Sequence, residues 1–143
     1  MRIHIRADSN AAADQAVKLK VRDAVTAYLE PELETVGTFD AAYKAIEKRL
    51  RTIEAVADRV LEREGFSYRA TAKLVNELFP ARSYDGIIVE SGYYDALILE
   101  LGSGRGDNWW CVIYPPLCFL EAQAGDSVTY RSKLKELWDK YFG

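Results

Sequence analysis

His4 is the only histidine in the chain, and that limits the chemistry available at once. Multi-histidine metal sites are excluded, and one imidazole remains as a possible general base. A hydrolytic centre would have to bring His4 together with Asp8 or Arg22 in a cleft. No G-x-S-x-G elbow accompanies it. The run Gly102-Ser103-Gly104-Arg105-Gly106 looks like a phosphate loop but lacks the Lys-Ser/Thr ending. A strand pattern follows it where a phosphate loop needs a helix N-terminus, so it reads as a flexible hairpin. The carboxylates sit among Lys and Arg on helical patterns. None is isolated in an apolar run that would raise its pKa for acid catalysis. These residues predict no catalytic constellation, no metal and no cofactor.

Two segments are unusual in composition. In the first, 14–23, Lys18 and Arg22 are four residues apart with Asp14 one turn before Lys18, as on a solvated, salt-bridged helix face. The second is 108–119, Asn-Trp-Trp-Cys-Val-Ile-Tyr-Pro-Pro-Leu-Cys-Phe. Adjacent tryptophans on a strand point to opposite faces, so either Trp109 or Trp110 can enter the core while the other faces outward. Burial of both is the alternative. Pro115-Pro116 ends the strand and is expected to expose a rigid extended segment. Cys111 and Cys118 lie within reach of each other across this bend and are compatible with a disulfide. Such a bond would be unusual in cytosol. Arg105, Asn108, one of the two tryptophans and Pro115-Pro116 together form the expected partner-binding surface. Large aromatics and Arg dominate interface energetics, and a rigid segment loses little entropy on docking.

The elements that position these residues follow from periodicity. Residues 3–7 alternate as a short strand, and Asp8, Ser9 and Asn10 supply N-cap candidates. Val17, Val21, Ala24, Val25, Tyr28 and Leu29 recur at helical spacing up to Pro31. A second stripe, Phe39, Tyr43, Ile46, Leu50, Ile53, Ala57 and Val60, predicts one long helix between Thr38 and Gly65. Period two then takes over in 66–79, 87–89, 93–101 and 109–114, and loops this short predict antiparallel neighbours. Leu134, Leu137, Trp138 and Tyr141 predict a short C-terminal helix. The expected fold is one α+β domain over 1–143. It has an antiparallel sheet of about four strands, two long antiparallel helices on one face and that terminal helix. Within it, His4, Asp8, Arg22 and Asp23 are expected to tie the first strand to the first helix, with the Arg22 fork as hub.

The chain has 143 residues and a net charge of −3, with three Trp, nine Tyr and five Phe. That is ample for a core, and a mildly acidic chain without a basic block is a poor nucleic-acid binder. No stretch approaches the roughly 20 apolar residues needed to span a bilayer. Arg2, His4 and Arg6 interrupt the first segment, so no secretion leader is read there.

On the block running from Arg2 through His4, Ala7 and Ser9 to 14–23, and on 108–119, the chain resembles the stage II sporulation protein R family of endospore-forming bacteria. The resemblance covers 2–120. Asp8 stands where the family pattern has Asn, and the tail after Glu121 matches nothing. The resemblance implies a protein exported from the forespore into the space between forespore and mother-cell membranes, with its leader outside the present sequence. There it would activate a membrane-embedded aspartic protease of the mother cell, through that receptor's extracytoplasmic part, and the protease would process pro-sigma-E. The catalytic aspartate would belong to the receptor, and no small-molecule substrate or nucleic acid is implied. An extracytoplasmic location would also suit a Cys111–Cys118 disulfide. The competing expectation is a small hydrolase using His4 with Asp8 or Arg22.

Overall fold

The computed structural model describes residues 1–84 and 86–119, so the expected C-terminal helix lies outside the described residues. The chain runs β1 (Arg2–Arg6), α1 (Ala12–Leu33), α2 (Phe39–Glu47), α3 (Leu50–Arg63), β2 (Ala70–Phe79), β3 (Arg82–Tyr84), β4 (Ile87–Val89), β5 (Gly92–Leu101) and β6 (Asn108–Val112). A 3₁₀ turn at Leu117–Phe119 follows. The α+β class and a four-stranded sheet are present.

The sheet is mixed, however, not purely antiparallel. Its order is β2-β5-β1-β6, with β3 and β4 forming a separate two-stranded ladder. β2 and β5 are antiparallel in unbroken register from Ala70↔Leu101 to Phe79↔Gly92. β1 then inserts between β5 and β6, parallel to β5 (His4↔Ile98) and antiparallel to β6 (His4↔Trp110). The short connection between β5 and β6 therefore is not a hairpin. It spans the strand lying between them, a separation of about 10 Å. Loop length bounds where two strands can lie, but it cannot exclude a third strand from elsewhere in the chain.

The helices also differ from expectation. α1 runs through Pro31 to Leu33. Proline in the last turn sacrifices little hydrogen bonding, and the buried Leu29 and Leu33 hold the helix on the core. The stripe that predicts one long helix is divided between α2 and α3. The break falls at Lys48-Arg49, where Arg49 has φ −109° and ψ 6°. The Arg49 guanidinium bridges this joint to α1, donating to Ala45 O at 2.7 Å and to Glu32 Oε2 at 2.6 Å. Thr38 caps α2 as expected, its Oγ1 accepting from Ala41 N at 3.1 Å.

The main core combines Ile3 and Ile5 of β1 with Val17, Val21, Val25 and Leu29 of α1, Ile53 and Leu61 of α3, and Leu97, Leu99 and Leu101 of β5. The opposite face of the sheet buries Phe79, Ala96 and Ile98 with Val75 and Tyr94 against them. β5 is thus buried on both sides, and Ala96 to Leu99 are all inaccessible to solvent. A continuous apolar run is what such a central strand requires.

Candidate partner-binding surface

Two of the residues that look like helix caps, Asp8 and Asn10, serve instead to fix the glycine-rich loop. α1 begins after Ala11, which has no side-chain cap. Asp8 Oδ1 accepts from Ser103 N, and Ser103 Oγ donates to Asp8 O, both at 2.7 Å. Asn10 Oδ1 accepts from Asp107 N at 2.6 Å, and Gly106 N donates to Ala7 O at 2.7 Å. A Cβ on Gly102 would lie 2.3 Å from Asp8 Oδ1, and one on Gly106 would lie 2.4 Å from Ser9 O. Glycine is needed here for close approach, and the loop is a fastened strap across the end of β1, not a free hairpin.

Behind the strap lies a polar network from α1. Ser9 Oγ and Tyr68 Oη both donate to Asp14, and these two bonds hold its carboxyl below the usual range. Burial, then the bond to Asp14, pushes the Tyr68 hydroxyl well up. Lys18 is not on a solvated face. It is buried, and its Nζ donates to Gln15 Oε1 at 2.7 Å and to Asp107 O at 3.1 Å. Desolvation lowers its pKa, partly offset by Asp107 and reinforced by Arg22. The expected Asp14–Lys18 pairing is absent: each residue takes one local partner, Ser9 or Gln15, and one distant partner, Tyr68 or Asp107. Sequence spacing could not supply the distant partners, because they come from the segment before β2 and from the strap.

The expected cluster of His4, Asp8, Arg22 and Asp23 does not assemble. His4 points to the sheet face away from the α1 core residues, stacks on Phe79 with centroids 4.6 Å apart and shares a 2.6 Å hydrogen bond with Asn108. Asp8 is bound to Ser103. Arg22 pairs with its neighbour Asp23 at 2.8 Å, and its guanidinium lies 5.6 Å from the Trp109 ring centre. Arg22 therefore joins α1 to β6, and it is no hub for β1. Alternation decides this: His4 falls on the face opposite Ile3 and Ile5, so α1 cannot reach it.

The two tryptophans do take opposite faces. Trp109 packs against the main core, while Trp110 faces the guanidinium of Arg2, 5.0 Å from its ring centre. The same buried Arg2 lies 4.5 Å from the Tyr94 ring centre and 5.0 Å from that of Phe79. Both tryptophans are half-buried, so neither is simply inside or outside. Arg105 and Asn108 are exposed. Pro115-Pro116 is not an exposed extended segment: β6 ends at Val112, Pro115 is buried in the following turn after a cis bond, and Pro116 is half-buried. The turn brings Cys118 back to Cys111, Cα–Cα 5.7 Å, and the structure pairs them as a disulfide.

A cleft of about 240 Å³ opens between α1 and this turn, lined by Asp23, Thr26, Ala27, Glu30, Cys118 and Phe119. Its walls include neither His4, Asp8 nor Arg22. Among the described residues no group of His, Cys, Asp and Glu could hold a metal ion, and no helix is long and apolar enough to cross a membrane.

The sequence profile of the family described as Stage II sporulation protein R matches residues 1–124. The chain belongs to this family. It is 34% identical to Stage II sporulation protein R of Bacillus subtilis (strain 168) over 128 residues, which is 90% of this chain and 57% of that relative. The chain thus spans somewhat over half the length of its Stage II sporulation protein R relative. No solved structure matches it. The two compositionally unusual blocks, 2–23 and 108–119, meet where β1 pairs with β6: the first supplies β1 and α1, the second β6 and the disulfide turn.

Proposed function

We propose that this chain is an extracytoplasmic sporulation signal that activates a membrane-embedded aspartic protease, which then processes pro-sigma-E. Membership of the Stage II sporulation protein R family carries this reading. The separation of His4 from Asp8 and Arg22 argues against the hydrolase alternative, which needed them in one cleft. The receptor-contact surface in this proposal is the strap end of the molecule. Arg105 and Asn108 are its exposed members and Trp109 and Trp110 back it from either face, whereas Pro115-Pro116 follow the other end of β6, beside Met1, and stand apart from it. The disulfide between Cys111 and Cys118 suits an exported protein.

Co-expression of this chain, exported, with the receptor protease and pro-sigma-E tests the reading. Shortening of pro-sigma-E should require both proteins. Arg105→Ala should reduce that shortening several-fold with an unchanged melting curve. Absence of cleavage with a folded, exported chain would overturn the reading.

A further inference from the structure

β2 is an edge strand of the sheet, and its outward-facing main chain is treated differently along its length. The unbroken register with β5 makes Ala70, Ala72, Leu74, Asn76 and Leu78 the residues whose N–H and C=O face away from the sheet. Arg69 O accepting from Gly102 N fixes this parity. At the first two positions α3 closes the edge: Asp58 accepts from Ala70 N at 2.8 Å and Glu54 from Ala72 N at 2.9 Å. Nothing among the described residues accepts from the N–H of Leu74, Asn76 or Leu78. An open edge normally carries a charge or proline that blocks further pairing. Here Lys73 is engaged with Glu100, Glu77 lies 3.9 Å from Arg6, and the uncapped stretch presents Leu74-Val75-Asn76-Glu77-Leu78.

That stretch is self-complementary. We infer that two copies of this chain join edge to edge by antiparallel pairing of β2 about a two-fold axis at Asn76. In this register Asn76 faces Asn76 of the second copy, and Leu74 faces Leu78 of the second copy. Leu74, Asn76 and Leu78 each donate and accept one main-chain bond. Val75 falls opposite Glu77 and Lys73 opposite Phe79, so no like charges oppose. The ladder stops where the chain says it must: Ala72 N–H is already held by Glu54, and the residue opposite it is Pro80, which has no N–H to offer. The pairing also sets the α3 layer of one copy beside the uncovered end of the other. There Leu78 is 63% and Tyr93 72% exposed, directly opposite each other across β2 and β5. Such exposed apolar pairs mark an interaction surface. The contact is small, so association is expected to depend on concentration. This inference is independent of the signalling role.

Sedimentation of the whole chain over a concentration series tests it. The weight-average mass should rise from one chain toward two. Asn76→Pro removes the central outward N–H without breaking any main-chain bond to β5, giving up only the exposed side-chain bond from Asn76 Nδ2 to Asp95, and proline is tolerated at such an edge position. It should leave the circular dichroism spectrum unchanged and hold the mass at one chain. Leu78→Lys, at an exposed site, should do the same and decides the matter if the proline variant fails to fold. A wild-type chain that stays monomeric to millimolar concentration would overturn the inference. So would a folded Leu78→Lys variant that dimerises as well as the wild type.

Discussion

A single methyl group at Gly102 would have to occupy the space held by the Asp8 carboxylate, at a backbone φ of +58°. Gly102→Ala therefore strains the backbone and displaces the bond from Ser103 N to Asp8. It should destabilise the fold by about 2 kcal/mol, read from the denaturant midpoint. An unchanged midpoint would mean that the strap contributes nothing to stability. Asp14 makes a pH prediction with a defined sign. Its carboxyl is held below the usual carboxylate range by bonds from Ser9 and Tyr68. A group depressed in the folded state stabilises above its unfolded pKa and loses that contribution as pH falls through the folded value. The wild type should thus lose stability as acid protonates Asp14 below about pH 4, and Asp14→Asn should flatten that part of the profile. Parallel acid profiles for the two proteins would sink the assignment. Glu54 acts in the same direction. Burial raises its pKa, but the Ala72 N–H bond and Arg51 outweigh that and leave it lowered.

At the scale of elements, the β6 turn depends on a covalent closure that neither helix nor sheet supplies. The loop between Cys111 and Cys118 is short, so the disulfide limits the unfolded chain modestly, by about 2 kcal/mol. A Cys111→Ala, Cys118→Ala pair should melt earlier yet keep its strand signal, and folded oxidised wild type should yield no titratable thiol. Two free thiols in that sample would contradict the pairing. The alternation of β1, the caps Thr38 and Gly65, β4, and β5 to within one residue were legible from period and punctuation, whereas β2 starts at Ala70 and not at 66, and β3 carried no strand signal. The division of α2 from α3 was not. A stripe stepping by four and three residues is satisfied equally by one helix or by two short ones, and only the reach of Arg49 to Glu32 marks the joint.

At the scale of the molecule, one buried cluster runs from Met1 to Phe119 and takes in α1, α2 and α3 and the four strands of the main sheet. With no second helix-and-sheet core among the described residues, a single cooperative unfolding transition is expected. Far-ultraviolet dichroism and tryptophan fluorescence should give coincident melting curves. Trp109 reports the helix-side face and Trp110 the opposite face of the same sheet, so separated transitions would show that the two faces unfold independently.

The α+β class, the opposite facing of Trp109 and Trp110, and the family can be read from the order of residues alone. These follow from local period, from covalent turn chemistry and from two long, compositionally odd blocks. The central place of β5 agrees with its unbroken Ala96-Leu97-Ile98-Leu99 run, a signal that reading 93–101 as a period-two strand passes over. Tertiary structure alone decided that β1 enters the sheet parallel to β5, that His4 and Arg22 lie on opposite sides, and that Lys18 is buried beneath the strap. Each of these depends on contacts between residues some ninety positions apart in the chain, such as Lys18 with Asp107 and His4 with Ile98. Local periodicity states which face of an element is apolar. It does not state which distant element will cover that face, and the polar partners of a residue are fixed only when that choice is made.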